Sequence, residues 1–244
     1  MRIQKWISQM GIASRREVET WIKEGRVKVN DTVSQLGDVI NPFVDKLKID
    51  NKLIRPNPPS KVYWIFNKPL KVLTSRVGQD DKSCIFDLPA LKKLPFIVST
   101  VGRLDYMSEG LLLLSNDGEL VYRLSHPSYK LPRIYKVSIN GELSKEQIRQ
   151  IQDGVELVDG RVSGAEIKAC PPYKDDPRGK WYLITVHEGR NRLVRRILNH
   201  FDFKVIRLVR VGFGQIILPD DLQVGKYRQL DSKELRSLKK SVQL

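Results

Sequence analysis

The chain has 244 residues, 41% hydrophobic and 29% charged, which is enough apolar content for a sizeable core and excludes global disorder. Its 43 basic residues outnumber 28 acidic ones, and the formal charge of +15 points to a polyanionic partner. No apolar stretch is long enough to span a bilayer, so a membrane partner is not expected, and the length suits one small and one medium domain. The start, Met1-Arg2-Ile3-Gln4-Lys5-Trp6, lacks the apolar core of a signal peptide. Cys84 and Cys170 form no paired motif and read as reduced thiols of a cytoplasmic protein. Three histidines (His126, His187, His200) and two cysteines show no metal-ligand spacing, and no glycine-rich phosphate loop is present, so neither a metal nor a cofactor is expected.

Taken in chain order, Ile3, Ile7 and Met10 recur at helical spacing and Gly11 supplies a stop. Ser14-Arg15-Arg16-Glu17 is a capping box that opens a second helix with Val18, Trp21 and Ile22 as its stripe, ended by Gly25. Arg26-Val27-Lys28-Val29-Asn30 alternates as a strand before an Asn30-Asp31 turn, and Lys46-Leu47-Lys48-Ile49 is positioned to pair with it. Pro56-Asn57-Pro58-Pro59-Ser60 continues neither helix nor sheet and reads as a semi-rigid linker. The expected domains are therefore residues 1–58 and 61–240.

The second part alternates short strands with a few helices. Strands are expected at 62–66, over the Leu111–Leu114 run, and at 134–139, 181–186 and 205–211. A helix capped by Ser144 is expected to run to Gln152. Lys174-Asp175-Asp176-Pro177-Arg178-Gly179-Lys180 reads as a polar loop. Without a regular strand–helix alternation, the expected class is α+β with a mixed, mostly antiparallel sheet. Glu188-Gly189-Arg190-Asn191-Arg192-Leu193-Val194-Arg195-Arg196 follows a strand directly, and Asn191 is placed to cap a helix. On that helix Arg192, Arg195 and Arg196 would share one face at i, i+3, i+4 spacing. Four arginines in seven residues favour phosphate binding or a buried ion pair over a merely solvated face.

Asp105 sits in a short polar turn just before the four leucines, a rigid anchor of the kind a positioned reactive group needs. Alone, such an aspartate is most often a turn residue. Gly102-Arg103-Leu104-Asp105 with Gly110-Leu111-Leu112-Leu113 resembles the central motif of the pseudouridine synthases, in the RsuA/RluB group that modifies ribosomal RNA. Asn67-Lys68-Pro69, Ile134-Tyr135-Lys136-Val137 and the arginine-rich segment resemble the family's other motifs in the family's order. Ala13-Ser14-Arg15-Arg16-Glu17 with Gly25-Arg26-Val27-Lys28-Val29-Asn30 resembles the small RNA-binding domain named after ribosomal protein S-four, the alpha-L motif. Two departures stand out. Leu193 replaces a polar residue of many relatives, and Met107-Ser108 replaces an Asn-Thr pair.

The resemblance implies an isomerase that detaches a flipped-out uracil from its sugar, rotates it and rejoins it through carbon. Asp105 would act as nucleophile or base, Tyr135 would stack on the base, and Arg195 would pair with Asp105 and hold it ionised. Leu104 and Val194 would be apolar neighbours. Arg15, Arg16, Lys23, Arg26, Lys28, Arg103, Arg190, Arg192 and Arg196 would contact RNA, mostly at phosphates. The implied partner is ribosomal RNA, a structured stem-loop, met by a monomer in the cytoplasm. The 209–214 segment and the Leu36-Gly37-Asp38 turn look closest to the RluB type, which acts on large-subunit RNA, with the small-subunit RsuA type as the alternative. A non-catalytic RNA-binding assembly protein would explain the charge but not the joint presence of Asp105, Tyr135 and Arg195. An RNA nuclease lacks a carboxylate cluster for metal ions.

Overall fold

The computed structural model describes residues 1–55 and 57–244. Pro56 of the proline-rich linker lies outside the described residues. The chain divides into two compact units, Met1–Val62 with Leu94–Ser99 and Ser115–Gly118, and Tyr63–Lys93 with Thr100–Leu114 and Glu119–Leu244.

In the first unit, helix α1 (Ile3–Gln9) is followed by α2 (Arg15–Lys23), whose N-terminus carries the reciprocal Ser14/Glu17 capping box. Strands β1 (Val27–Val29), β2 (Thr32–Val33), β3 (Leu47–Ile49) and β4 (Lys52–Ile54) form an antiparallel sheet in the order β2-β1-β3-β4. Asn30 and Asp31 both have positive φ, as the tight turn between β1 and β2 requires. Ile3, Trp6, Ile7, Val18, Ile22 and Val27 are among the residues of this unit's core.

The second unit is built on a nine-stranded sheet. Its strands are β5 (Tyr63–Lys68), β6 (Ser99–Thr100), β7 (Glu109–Ser115), β8 (Arg133–Ile139), β11 (Glu166–Ala169), β12 (Lys180–Val186), β13 (Val205–Phe213), β14 (Ile216–Ile217) and β15 (Tyr227–Gln229). A separate two-stranded hairpin joins β9 (Glu156–Leu157) to β10 (Gly160–Arg161). The main order is β11-β12-β8-β13-β7-β5-β15, with β14 on β13 and β6 on β7. The pairings of β8, β11, β12, β14 and β15 are antiparallel, and β13 with β7 is parallel. The helices are α3 (Pro89–Lys92), α4 (Gly118–Ser125), α5 (Lys145–Asp153), α6 (Leu193–His200) and α7 (Ser232–Lys240). The class is α+β, as expected. Every residue of β7 is buried, because it lies inside the sheet and both its faces are covered. Leu111 and Leu113 pack with Ile65, Leu120, Leu124 and Leu238. Among the described residues no helix is long and apolar enough to cross a membrane.

One local expectation fails. Helix α6 starts at Leu193, not after an Asn191 cap; its N-cap is Arg192, at φ 50°, with no side-chain cap bond. The left-handed Arg192 turns the chain sharply into the helix, and four buried residues, Leu193, Val194, Ile197 and Leu198, anchor it instead. Arg192 is therefore outside the helical face expected to carry three arginines.

Candidate active site

The Asp105 turn is held by its backbone. Ser108 N–H donates to the Asp105 carbonyl (3.0 Å), and Lys71 N–H donates to the Tyr106 carbonyl (2.8 Å). Thr74 clamps Leu104 from both sides, its hydroxyl donating to the Leu104 carbonyl (2.7 Å) and accepting from the Leu104 N–H (3.2 Å). Beneath the turn, the fully buried Lys68 ammonium donates to the carbonyls of Ser108 (2.8 Å), Pro69 (3.0 Å) and Asp105 (3.3 Å). Burial lowers the Lys68 pKa from 10.5 to about 8, opposed by the negative charges of Asp105 and Glu109. With its backbone fixed in this way, the Asp105 carboxylate is half-buried and bonds to no protein group among the described residues.

Asp105 lines a cavity of about 500 Å³ together with Leu104, Tyr135, Val194, Arg133 and Arg210. Tyr135 lies on β8, buried, opposite Ile184 on one side and Arg210 on the other. Leu104, Val194 and the departing Leu193 are buried apolar wall. The lining mixes apolar side chains with five arginines and the carboxylates of Asp105 and Glu188, a basic concave site in which polar groups can fix a ligand's orientation.

The expected ion pair between Arg195 and Asp105 is not formed. Arg195 Nη2 donates to the carbonyl of Met107, two residues along in the same turn (2.5 Å). Its half-buried position lowers its pKa, as does neighbouring Arg192, while the charge of Asp105 acts in the opposite direction. Arg195 thus braces the turn and feels the carboxylate across space. Because the bond is to a main-chain carbonyl, the Met107 side chain does not decide it.

The arginines assigned to RNA divide into two sets. Arg103 and Arg192 are exposed at the cavity rim with no ion-pair partner among the described residues. Arg190 and Arg196 are already occupied. Arg190 pairs with Glu188 (2.6 Å) and Asp159 (3.4 Å) and donates to the Gly160 carbonyl, while Arg196 pairs with Asp159 (2.8 Å). Both fasten the β9–β10 hairpin. Asp159 lies about thirty residues upstream and carries no sequence signal for this role.

The first unit shows the same division. Arg15, Arg16 and Lys23 are exposed around α2 with no ion-pair partner among the described residues. Arg26 forms a two-pronged pair with Asp50 (2.8 Å to each oxygen), reaches Glu24 (3.1 Å) and lies over Trp21 at 5.0 Å. Lys28 donates to Asn51 (3.0 Å).

Two cavity-lining residues, Arg210 and Arg133, had no site reading at sequence level. Lys68 was read only as part of the Asn67-Lys68-Pro69 motif, with no contact to the Asp105 turn assigned to it. Glu109, next to that turn, pairs with Arg207 (2.6 Å), which also pairs with Asp176 (2.9 Å) of the expected polar loop.

A model of the RNA pseudouridylate synthases matches residues 62–200, and a model of the S4 domain matches residues 1–42. Over 247 residues the chain is 42% identical to an RNA pseudouridine synthase of Aquifex aeolicus described as uncharacterized, covering 100% of this chain and 96% of that protein. The chain belongs to the RNA pseudouridylate synthase family. It is an isomerase, and its two matched regions mark it as RNA-binding. It is also 39% identical to the ribosomal large subunit pseudouridine synthase B of Pseudomonas aeruginosa, over 100% of this chain and 63% of that protein. For the protein of the same name from Bacillus subtilis, identity is 36% over 98% of this chain and 95% of that protein. A crystal structure of a pseudouridylate synthase superimposes with a TM-score of 0.66 at 24% identity, covering 98% and 99% of the two chains, which supports the fold.

Proposed function

We propose that this chain isomerises a specific uridine of large-subunit (23S) ribosomal RNA to pseudouridine, with Asp105 as the reacting carboxylate. The observation that carries the assignment is the Asp105 carboxylate itself. It faces a cavity of about 500 Å³ on a turn whose carbonyls are clamped by a buried ammonium, and no protein group among the described residues bonds to it. A positioned, unengaged carboxylate is what the reaction requires, either as nucleophile at the sugar C1′ or as base at the neighbouring carbon. Tyr135 stacks on the flipped base from the cavity wall, because a uridine inside a stack cannot be reached. Arg195 holds the Asp105 turn in place through Met107 and sets a positive charge across space from the carboxylate.

The choice of RNA rests on the relatives named ribosomal large subunit pseudouridine synthase B, at 36–39% identity over 98–100% of this chain. Residues 1–58 serve as the RNA anchor, with Arg15, Arg16 and Lys23 as its free cations, and residues 61–240 perform the chemistry. Arg103 and Arg192 take phosphates at the cavity mouth. A monomer working in the cytoplasm, where ribosomal RNA is made, completes this reading.

Tritium release from large- and small-subunit RNA labelled at uridine C5, followed by mapping of the modified position, tests the proposal. Release from large-subunit RNA at one position is expected. Release from small-subunit RNA alone would reassign the substrate, and no release from either would remove the activity.

A further inference from the structure

Arg133 and Arg210 are the two cations inside the cavity that the reading above leaves unused. The strand register explains how they meet. On β8, Arg133 and Tyr135 are two residues apart and face the same side. They oppose Phe213 and Arg210 of β13 respectively. Arg210 and Phe213, three apart, would normally face opposite sides, but the register shift between Arg210 and Gly212 restores a common face. Both guanidiniums therefore lie against the Phe213 ring, each with its central carbon 5.5 Å from the ring centroid. Arg210 is only 2% exposed. Its Nε donates to the Leu111 carbonyl (2.7 Å), and its buried Nη2 has no acceptor. Arg133 donates to the Leu131 carbonyl (3.2 Å), with the Gly189 backbone close against it. Neither has a carboxylate partner among the described residues.

Two half- to fully buried guanidiniums without a counter-charge are costly unless the bound state uses them. Their depth decides what they meet. Exposed Arg103 and Arg192 stand at the rim, where the backbone of a polymer lies, whereas Arg210 lies on the wall beside Tyr135, where the base goes.

We propose that Arg133 and Arg210 form a leaving-group subsite that holds the carbonyl oxygens of the flipped uracil and stabilises it as an anion once it is detached. This rests on the assignment of the cavity to uridine isomerisation. When the C1′–N1 bond breaks, its electron pair leaves with N1 and spreads onto the O2 and O4 carbonyls. The guanidiniums meet charge that exists only in this step. The base then turns and C5 bonds to C1′ as the Asp105 carboxylate leaves that carbon or, on the base route, as the proton it took from C2′ returns; the C5 proton is lost and N1 takes one up, so the net change is an isomerisation. The step is the same whether Asp105 attacks C1′ or acts as base.

The test compares single-turnover loss of the N-linked nucleoside from substrate RNA carrying uridine or 5-fluorouridine at the target. Fluorine withdraws electrons and makes a leaving group that needs less help. With uridine, Arg210→Lys is expected to slow the saturated rate by about 100-fold or more, the scale seen when one preorganised donor is removed. With 5-fluorouridine the loss should shrink to about 10-fold or less, and Arg133→Lys should show the same pattern more weakly. An equal loss with both bases would overturn the proposal. So would a weaker RNA affinity with an unchanged saturated rate, which would make the pair a phosphate site. Should neither variant fold, the wild-type protein still decides. Its own ratio of fluorinated to plain cleavage is expected near one, and a ratio near that of the uncatalysed reaction refutes the subsite. Wild-type turnover of plain uridine RNA tests the underlying assignment separately.

Discussion

Lys68→Met gives a stability difference whose pH dependence can be worked out from the site. In the folded protein the Lys68 pKa falls from 10.5 to about 8, chiefly through burial. A shift of that size corresponds to about 3 kcal/mol between the charged and neutral forms. The sign follows from proton counts. Between pH 8 and 10.5 the unfolded chain holds the Lys68 proton and the folded chain does not, so this residue makes stability rise with pH across that window. Methionine removes the titration. It also strips a donor from the carbonyls of Ser108, Pro69 and Asp105; the Asp105 carbonyl keeps the Ser108 N–H, and each of the other two costs about 1–3 kcal/mol if left unpaired. Near pH 7 these losses are offset in part by relief of the buried charge, and the variant should be less stable by a few kcal/mol. By pH 10.5 the deficit should have grown by about 3 kcal/mol. Urea unfolding of both proteins at matched pH values measures it, and subtraction cancels the other titrating groups. A difference that stays flat from pH 7 to 10.5 would show that the Lys68 ammonium is not desolvated, and the clamp on the Asp105 turn would have to be reconsidered.

Asp105→Asn should abolish isomerisation while RNA binding persists, since the amide is nearly isosteric but is neither nucleophile nor base; turnover above a trace would sink the assignment. Arg195→Lys should cost turnover heavily, because Lys loses the planar geometry that reaches the Met107 carbonyl, whereas Arg196→Lys should mainly loosen the β9–β10 hairpin through Asp159, seen as faster amide exchange there with little change in rate. Equal kinetic effects of the two, in equally stable proteins, would place the bracing arginine elsewhere. Replacing Arg15, Arg16 and Lys23 together by Ala should flatten the salt dependence of RNA binding by about 2–3 units of log–log slope, with melting unchanged. An unaltered slope would remove α2 from the RNA interface.

Local features were legible in the sequence. The Ser14 capping box, the Ser144 cap, the Asn30-Asp31 turn and the four-leucine strand all form where their residue patterns place them. Each depends on neighbours within a few residues, and so does the Asp105 turn. Long-range electrostatics were not legible. Arg190 and Arg196 look like free cations until β9–β10 brings Asp159 to them, and Arg26 looks free until β3 and β4 place Asp50 beside it. Asp176 sat in a segment read as a polar loop, yet Arg207 reaches it from β13. Charge counts along a chain measure supply, and tertiary pairing decides what remains for a ligand.

Arg210 shows the same limit at the site itself. Arg210 falls within the strand expected at 205–211, and nothing local in the sequence tells it from an arginine that faces solvent. The sheet is covered on both sides there, so that face opens onto a cavity instead of solvent. The parallel pairing with β7 then seats Gly110 against Arg210, and a Cβ at Gly110 would fall 2.3 Å from the Arg210 carbonyl. Gly110 also has φ near +100°, a conformation open to glycine at little cost. The glycine that follows the Asp105 turn by five residues therefore does two things at once. It lets the chain leave that turn into β7, and it lets β13 approach closely enough to set Arg210 in the cavity that Asp105 faces. A short motif near Asp105 thus sets the position of a cation about one hundred residues away, through backbone packing and without any side chain of its own.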